Sequence, residues 1–223
     1  AVSRIKEAIT RKDRIVVYGD YDVDGVTGSA VLVLGLRELG ADAESYIPDR
    51  MTEGYGLNSA SMQAIHAAGT RLVITVDCGI SAFQEAQLAR NIGIDLIITD
   101  HHEINGLNDT KESNGLRLPD ALAVLHPALL VPAATAEERE RLSVLTGVGV
   151  AFKLVQAIRG LAGHDPELVK FLDLVTLGTV ADMGKITGEN RVLVKEGLAM
   201  LSSDSAHQRP GVEALRQVAG LVG

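Results

Sequence analysis

Apolar residues along this chain fall into two regimes. In the first half, short Val- and Ile-rich runs recur between turn or cap residues: RIVVY at 14–18, RLVITV at 71–76, DLIIT at 95–99 and ALAVL at 121–125, with a weaker AESYI at 43–47. Runs of this length and composition predict buried strands. Between them, helical spacing predicts helices over 25–39, 58–68 and 81–91, and the opening AVSRIKEAIT reads as part of an amphipathic helix. Beyond Pro132 the strand signals stop. Segments 135–145, 148–161, 167–180 and 190–202 carry Ala, Leu, Val and Glu at helical spacing, and 211–222 resumes it after Pro210. The polar stretch 105–119 reads as a surface loop. Alternating strands and helices imply right-handed crossovers. The expected fold is α/β: a mostly parallel five-stranded sheet with helices on both faces, followed by an all-helical C-terminal layer. No internal repeat or low-complexity tract interrupts it.

Composition narrows the function. The 223 residues are 46% hydrophobic, enough for one core near the upper size of a single compact domain. With 21 Lys and Arg against 29 Asp and Glu, the formal charge is −8, the wrong sign for a general basic surface. A polyanionic partner would need a local site. Four Tyr, three Phe and no Trp argue against gripping single strands mainly by stacking bases on exposed rings. The single Cys78 excludes an intramolecular disulfide framework or a Cys-rich zinc site and fits a reducing compartment, so the cytoplasm is expected. No apolar run approaches the roughly 18 residues of a membrane span and the start lacks a signal-peptide core, so a soluble protein with no membrane partner is expected. A start at Ala1 inside a helix and an end on LRQVAGLVG read as an excised piece of a longer protein.

The candidate chemistry lies where the strands end. Run 14–18 leads into Asp20, Asp22 and Asp24, 71–76 into Asp77, 95–99 into Asp100, His101 and His102, and 121–125 into His126. The carboxyl edge of an open parallel sheet is where ligands bind, so these side chains can converge. So many acids in one crevice would repel and desolvate each other unless cations neutralised them. Oxygen-rich ligands with some imidazole favour Mg²⁺ or Mn²⁺, and paired ions are a standard device for phosphoryl chemistry. The pattern points to hydrolysis of a phosphate ester or anhydride.

Other readings compete. The Asp20-x-Asp22-x-Asp24-Gly25 pattern opens like a calcium loop, but Val31 stands where the bidentate Glu belongs and a strand precedes it. Asp24 or Asp77, taken singly, reads as a helix N-cap. Cys78 reads as a small buried residue, His66 as partly exposed packing, and His164 and His207 as solvated turn residues. GKIT at 184–187 lacks the upstream glycine and strand of a phosphate loop. Asp182 ends the apolar run 172–183, where a carboxylate is costly unless it faces water or a cation. Arg50, on a Gly-punctuated loop, suits bidentate phosphate binding, with a surface salt bridge to Glu53 as the alternative.

Six ordered blocks, GDYDVDG at 19–25, PDRMTEGYGLN at 48–58, VDCG at 76–79, TDHHE at 99–103, LTGVGVAFKL at 145–154 and LGTVADMGKITGENRVLVKEGL at 177–198, resemble the DHH phosphoesterase superfamily. Within it they resemble the RecJ-type single-strand exonucleases, over nearly the whole chain. The resemblance implies two Mn²⁺ or Mg²⁺ ions held by Asp20, Asp22, Asp24, Asp77, His101 and Asp182, with Asp77 bridging. It implies that His102 contacts the scissile phosphate, Asp100 orients the His pair, and Arg50 binds the phosphate of the strand's 5′ terminus. The implied activity is 5′→3′ hydrolysis of single-stranded DNA to 5′ mononucleotides, in DNA repair and recombination. Implied partners are single-stranded DNA, a single-strand-binding protein and a helicase.

Residues 1–202 would then be the metal-bearing DHH domain and 203–223 the start of a linker helix to an absent second lobe, without which the isolated lobe is expected to be weakly active. Two departures stand out: Tyr18 occupies a place where some superfamily members carry a metal-binding His, leaving Asp20 as its substitute, and His126-Pro127 stands where Asn-Pro is usual. A small-substrate phosphoesterase acting on dinucleotides or pyrophosphate, and a non-catalytic replication scaffold, are the competing functions.

Overall fold

The computed structural model describes residues 1–104, 117–129, 135–161, 165–202 and 209–221. Five strands, β1 (Arg14–Gly19), β2 (Asp42–Tyr46), β3 (Leu72–Val76), β4 (Asp95–Thr99) and β5 (Ala123–Leu125), form one sheet in the order β2-β1-β3-β4-β5. Every neighbouring pair is parallel. The weak signal at 43–47 has a physical cause: β2 is an edge strand in which only Ala43 is buried, while Glu44 pairs with Arg14.

The crossovers are helical. Helices α1 (Val2–Arg11) and α2 (Val23–Glu38) pack with Ile15, Val17, Ile74 and Ile97 on one face of the sheet. Helices α3 (Ser59–Ala67) and α4 (Phe83–Ile92) cover the other, against Val16, Tyr18, Val73 and Ile98. Both faces are thus buried, which is why β1, β3 and β4 read as continuous apolar runs instead of alternating.

The helical half is two layers deep. Helix α6 (Gly147–Arg159) touches β3, β4 and α2, α8 (Leu172–Ala181) lies across α2 and α6, and α9 (Gly188–Leu201) packs on α8. The helix expected over 167–180 is broken into α7 (Pro166–Val169) and α8, because Phe171 turns into the core at the junction. The helix expected over 135–145 is shorter: α5 (Ala136–Leu142) starts on a Thr135–Glu138 capping box and stops before Leu145 and Thr146 become buried. After α9, α10 (Pro210–Val218) is fixed by Arg209, which pairs with the buried Asp173 at 2.9 Å and donates to the Lys170 carbonyl. Residues 105–116 of the expected loop, 203–208 of the expected linker, Val222, His164 and His207 lie outside the described residues. Among the described residues no single helix is long and apolar enough to cross a membrane.

Candidate metal centre

Three strand ends and one helix end meet above the sheet. After β1, Asp22 caps α2 by accepting from the Gly25 N–H at 2.9 Å. The N-cap is therefore Asp22, and Asp24 lies within the first turn. Asp24 is 1% exposed; its oxygens accept from the N–H groups of Gly147 (2.6 Å) and Val148 (2.9 Å). These are first-turn donors of α6 with no intrahelical partner, at the positive end of the helix dipole. A Cβ at Gly147 would sit 2.5 Å from Asp77 Cβ, and one at Gly178 would meet Asp24 Oδ1 at 3.0 Å. Glycine at both places lets α6 and α8 close over the acids.

Asp77, after β3, caps no helix. It is fully buried and left-handed at φ 63°, a conformation that costs a non-glycine residue energy and is found where function over-determines it. His101 Nε2 lies 2.9 Å from Asp77 Oδ1, 3.6 Å from Asp24 Oδ2 and 4.0 Å from Asp182 Oδ2, so the end of α8 does reach the crevice. The 2.9 Å approach is poorly aligned for a hydrogen bond. Both Asp77 oxygens and His101 Nε2 are buried without a hydrogen-bond partner. Ligand atoms of Asp24, His101 and Asp182 lie within 4.8 Å of one another, as do those of Asp20, Asp22 and Asp77, and those of Asp77, His101 and His102. Burial pushes the carboxyls of Asp77, Asp24, Asp20 and Asp182 up, with neighbouring acids adding to it. Burial pulls His101 down, but its contact with Asp77 outweighs this and raises it. Orphaned oxygens, one imidazole nitrogen and clustered acids fit hard or borderline divalent cations.

Asp100, after β4, is the counterpart with every need met. Its Oδ1 accepts from the N–H groups of His101 (2.7 Å) and His102 (3.1 Å) and from His102 Nδ1 (2.8 Å), and its Oδ2 from the Ile80 N–H (2.9 Å). Burial pushes its carboxyl up, but these donors outweigh burial and hold it below the usual range. Bonded to this carboxylate, His102 is raised to about 9 and turns its Nε2 away from Asp100. His126 reaches the same loop, its Nε2 being 2.7 Å from the His102 carbonyl, and burial lowers its pKa.

Arg50 does not pair with Glu53, which binds the Tyr46 hydroxyl and the Asp49 N–H instead. The exposed Arg50 guanidinium sits 5.1 Å over the Tyr21 ring, and edge contacts from Tyr21 to Tyr55 and from Tyr55 to His102 join it to the crevice. Tyr18 is buried. Its hydroxyl donates to the Gly56 carbonyl at 3.1 Å and meets Ser61 and Asn58, so it anchors the 54–58 turn. Cys78 is buried with its thiol pushed well up, which leaves it inert.

The model of the DHH family, N-terminal domain, matches residues 14–179. The chain belongs to the DHH family. Among its DHH relatives is the single-stranded-DNA-specific exonuclease RecJ of Bacillus subtilis, 42% identical over 220 residues, covering 99% of this chain and 25% of the relative. The RecJ of Thermus thermophilus is 39% identical, covering 100% of this chain and 30% of the relative. A crystal structure of exonuclease RecJ bound to manganese superposes with a TM-score of 0.78 at 38% identity, covering 98% of this chain and 51% of that one. The chain thus spans about a quarter to a third of the length of these curated relatives.

Sequence reasoning from the residues alone missed two parts of this DHH site. The Gly147 and Val148 N–H groups that hold Asp24 carry no side-chain signal; the small-residue Thr146-Gly147 start of α6 is their only trace. The ring path from Tyr21 through Tyr55 to His102 was also invisible, because its members lie on separate loops.

Proposed function

We propose that this chain is the metal-bearing lobe of a single-strand-specific 5′→3′ DNA exonuclease that binds two Mn²⁺ or Mg²⁺ ions. The observation that carries the reading is the convergence of three buried, unpartnered ligand atoms, Asp77 Oδ1, Asp77 Oδ2 and His101 Nε2. Asp24, His101 and Asp182 would hold one ion, Asp20 and Asp22 the other, with Asp77 bridging. Such ions, when bound, stabilise the attacking and leaving oxygens of an in-line phosphoryl displacement.

The chain's own groups do the positioning. Gly147 and Val148 keep Asp24 from turning away, and Asp100 holds His102 through its N–H and Nδ1–H, leaving Nε2 for the scissile phosphate. The Asp100 carboxylate raises the pKa of His102 and so favours the imidazolium form, which would offset the charge that builds on the phosphate. Arg50, over Tyr21, takes the 5′-terminal phosphate and so sets the polarity of digestion. Residues 1–202 form this lobe and 203–223 lead into a second one; the work lies in DNA repair and recombination in the cytoplasm, with a single-strand-binding protein and a helicase as partners.

The test is nucleotide release by the full-length protein from oligonucleotides with 5′-phosphate or 5′-hydroxyl ends, beside dinucleotide and pyrophosphate controls. Arg50→Ala should cost about tenfold or more on 5′-phosphorylated ends and clearly less on 5′-hydroxyl ends. Equal losses would remove the end-binding role, and turnover confined to the small substrates would replace the exonuclease reading.

A further inference from the structure

His126 ends the last strand as Asp100 ends its neighbour. Strands β4 and β5 finish in register, Thr99 opposite Leu125, and the Asp100 N–H donates to the Leu125 carbonyl at 3.2 Å. The two chains then diverge, one into the His101-His102 loop and the other into the 3-10 turn Pro127–Leu129. The His126 imidazole bridges them. Its Nδ1 lies 3.0 Å from the Ala128 nitrogen, and a backbone N–H can only donate, so Nδ1 accepts. Its Nε2 lies 2.7 Å from the His102 carbonyl, which can only accept, so Nε2 carries a proton. The neutral ring with its proton on Nε2 satisfies both contacts at once. His102 is therefore gripped from two sides. Asp100 takes its N–H and ring Nδ1–H, and His126 takes its carbonyl.

We propose that His126 is a positioning residue for His102: its Nε2–H fixes the peptide from which the His102 ring is hung, so that the ring meets the phosphate in one orientation. The inference rests on His102 facing the phosphate, as argued above. Misplacement by about 1 Å can cost about 100-fold in rate. Losing one of three contacts on the same residue should cost less, about tenfold in kcat with KM within about twofold.

Two substitutions separate the halves of the ring in the full-length protein. The amide of His126→Gln reaches the place of Nε2 and can donate to the His102 carbonyl. That of His126→Asn reaches only the place of Nδ1 and can keep the Ala128 contact. The expected order is near-wild-type kcat for His126→Gln and an equal loss for His126→Asn and His126→Ala; rescue by Asn and not by Gln would overturn the proposal. In a double-mutant cycle, His126→Ala should add no loss to His102→Ala. Additive losses would show that His126 acts elsewhere. If His126→Ala fails to fold, the Gln and Asn pair still decides. If the wild type releases no nucleotide, the exonuclease reading falls, and ¹⁵N shifts of labelled histidines decide His126 by themselves. A proton on Nε2 supports the contact, and a proton on Nδ1 refutes it.

Discussion

Asp77 and Asp100 occupy matching places at the ends of adjacent strands, one fully buried and the other 1% exposed, yet their surroundings are opposite. Four donors converge on Asp100 and hold its carboxyl below the usual range, whereas Asp77 has no hydrogen-bond partner on either oxygen and is pushed up by burial. A third buried acid, Asp173 in α8, is settled by its pairing with Arg209. Burial of a carboxylate is thus no sign of function by itself. What distinguishes Asp77 and His101 is burial left uncompensated by the protein, which a ligand can complete.

The contrast can be broken from either side. Asp77→Asn in the full-length protein should cut Mn²⁺-dependent nucleotide release by about 1,000-fold or more, since a carboxylate in the proposed bridging role would support several kcal/mol of transition-state stabilisation. Melting of the metal-free variant should show no loss of stability, because a neutral amide is cheaper to bury than an unpaired charge. Asp100→Ala should do damage of another kind. Leaving its buried donors unpaired should cost about 3–5 kcal/mol, lowering Tm by roughly 10 °C, and turnover per folded molecule should fall as His102 loses its orientation. An Asp100 variant as stable as wild type would erase the distinction.

Smaller effects sharpen it. Mn²⁺ at about 100 times its Kd should stabilise the wild type by about 2.7 kcal/mol, and Asp77→Asn should lose most of that shift in a thermal melt. Arg209→Ala leaves Asp173 unpaired and should cost about 1–3 kcal/mol in denaturant titration without changing turnover per folded molecule. A large activity loss there would mean that the Asp173 pair is coupled to Asp182 at the far end of the same helix.

Much of the fold was legible because both faces of the sheet are covered, so β1, β3 and β4 announce themselves as apolar runs. The acids were legible as a group because all but one directly follow strands, and the edge they share follows from parallel topology. Which acid does what was less so. Asp22, not Asp24, caps α2, since Asp24 is claimed by α6, a partner far along the chain that no local pattern reveals. The break between α7 and α8 was hidden because Lys170 and Phe171 keep helical spacing while Phe171 turns into the core. The role of His126 depends on a carbonyl, and carbonyls carry no sequence identity.

The most direct test of the central claim is anomalous diffraction from crystals of the full-length protein soaked in Mn²⁺ with a short 5′-phosphorylated strand. Two manganese peaks, both bound to Asp77 oxygens, and a terminal phosphate on Arg50 are the predicted result. Density with no manganese at Asp77, or with Asp77 satisfied by protein donors alone, would contradict it.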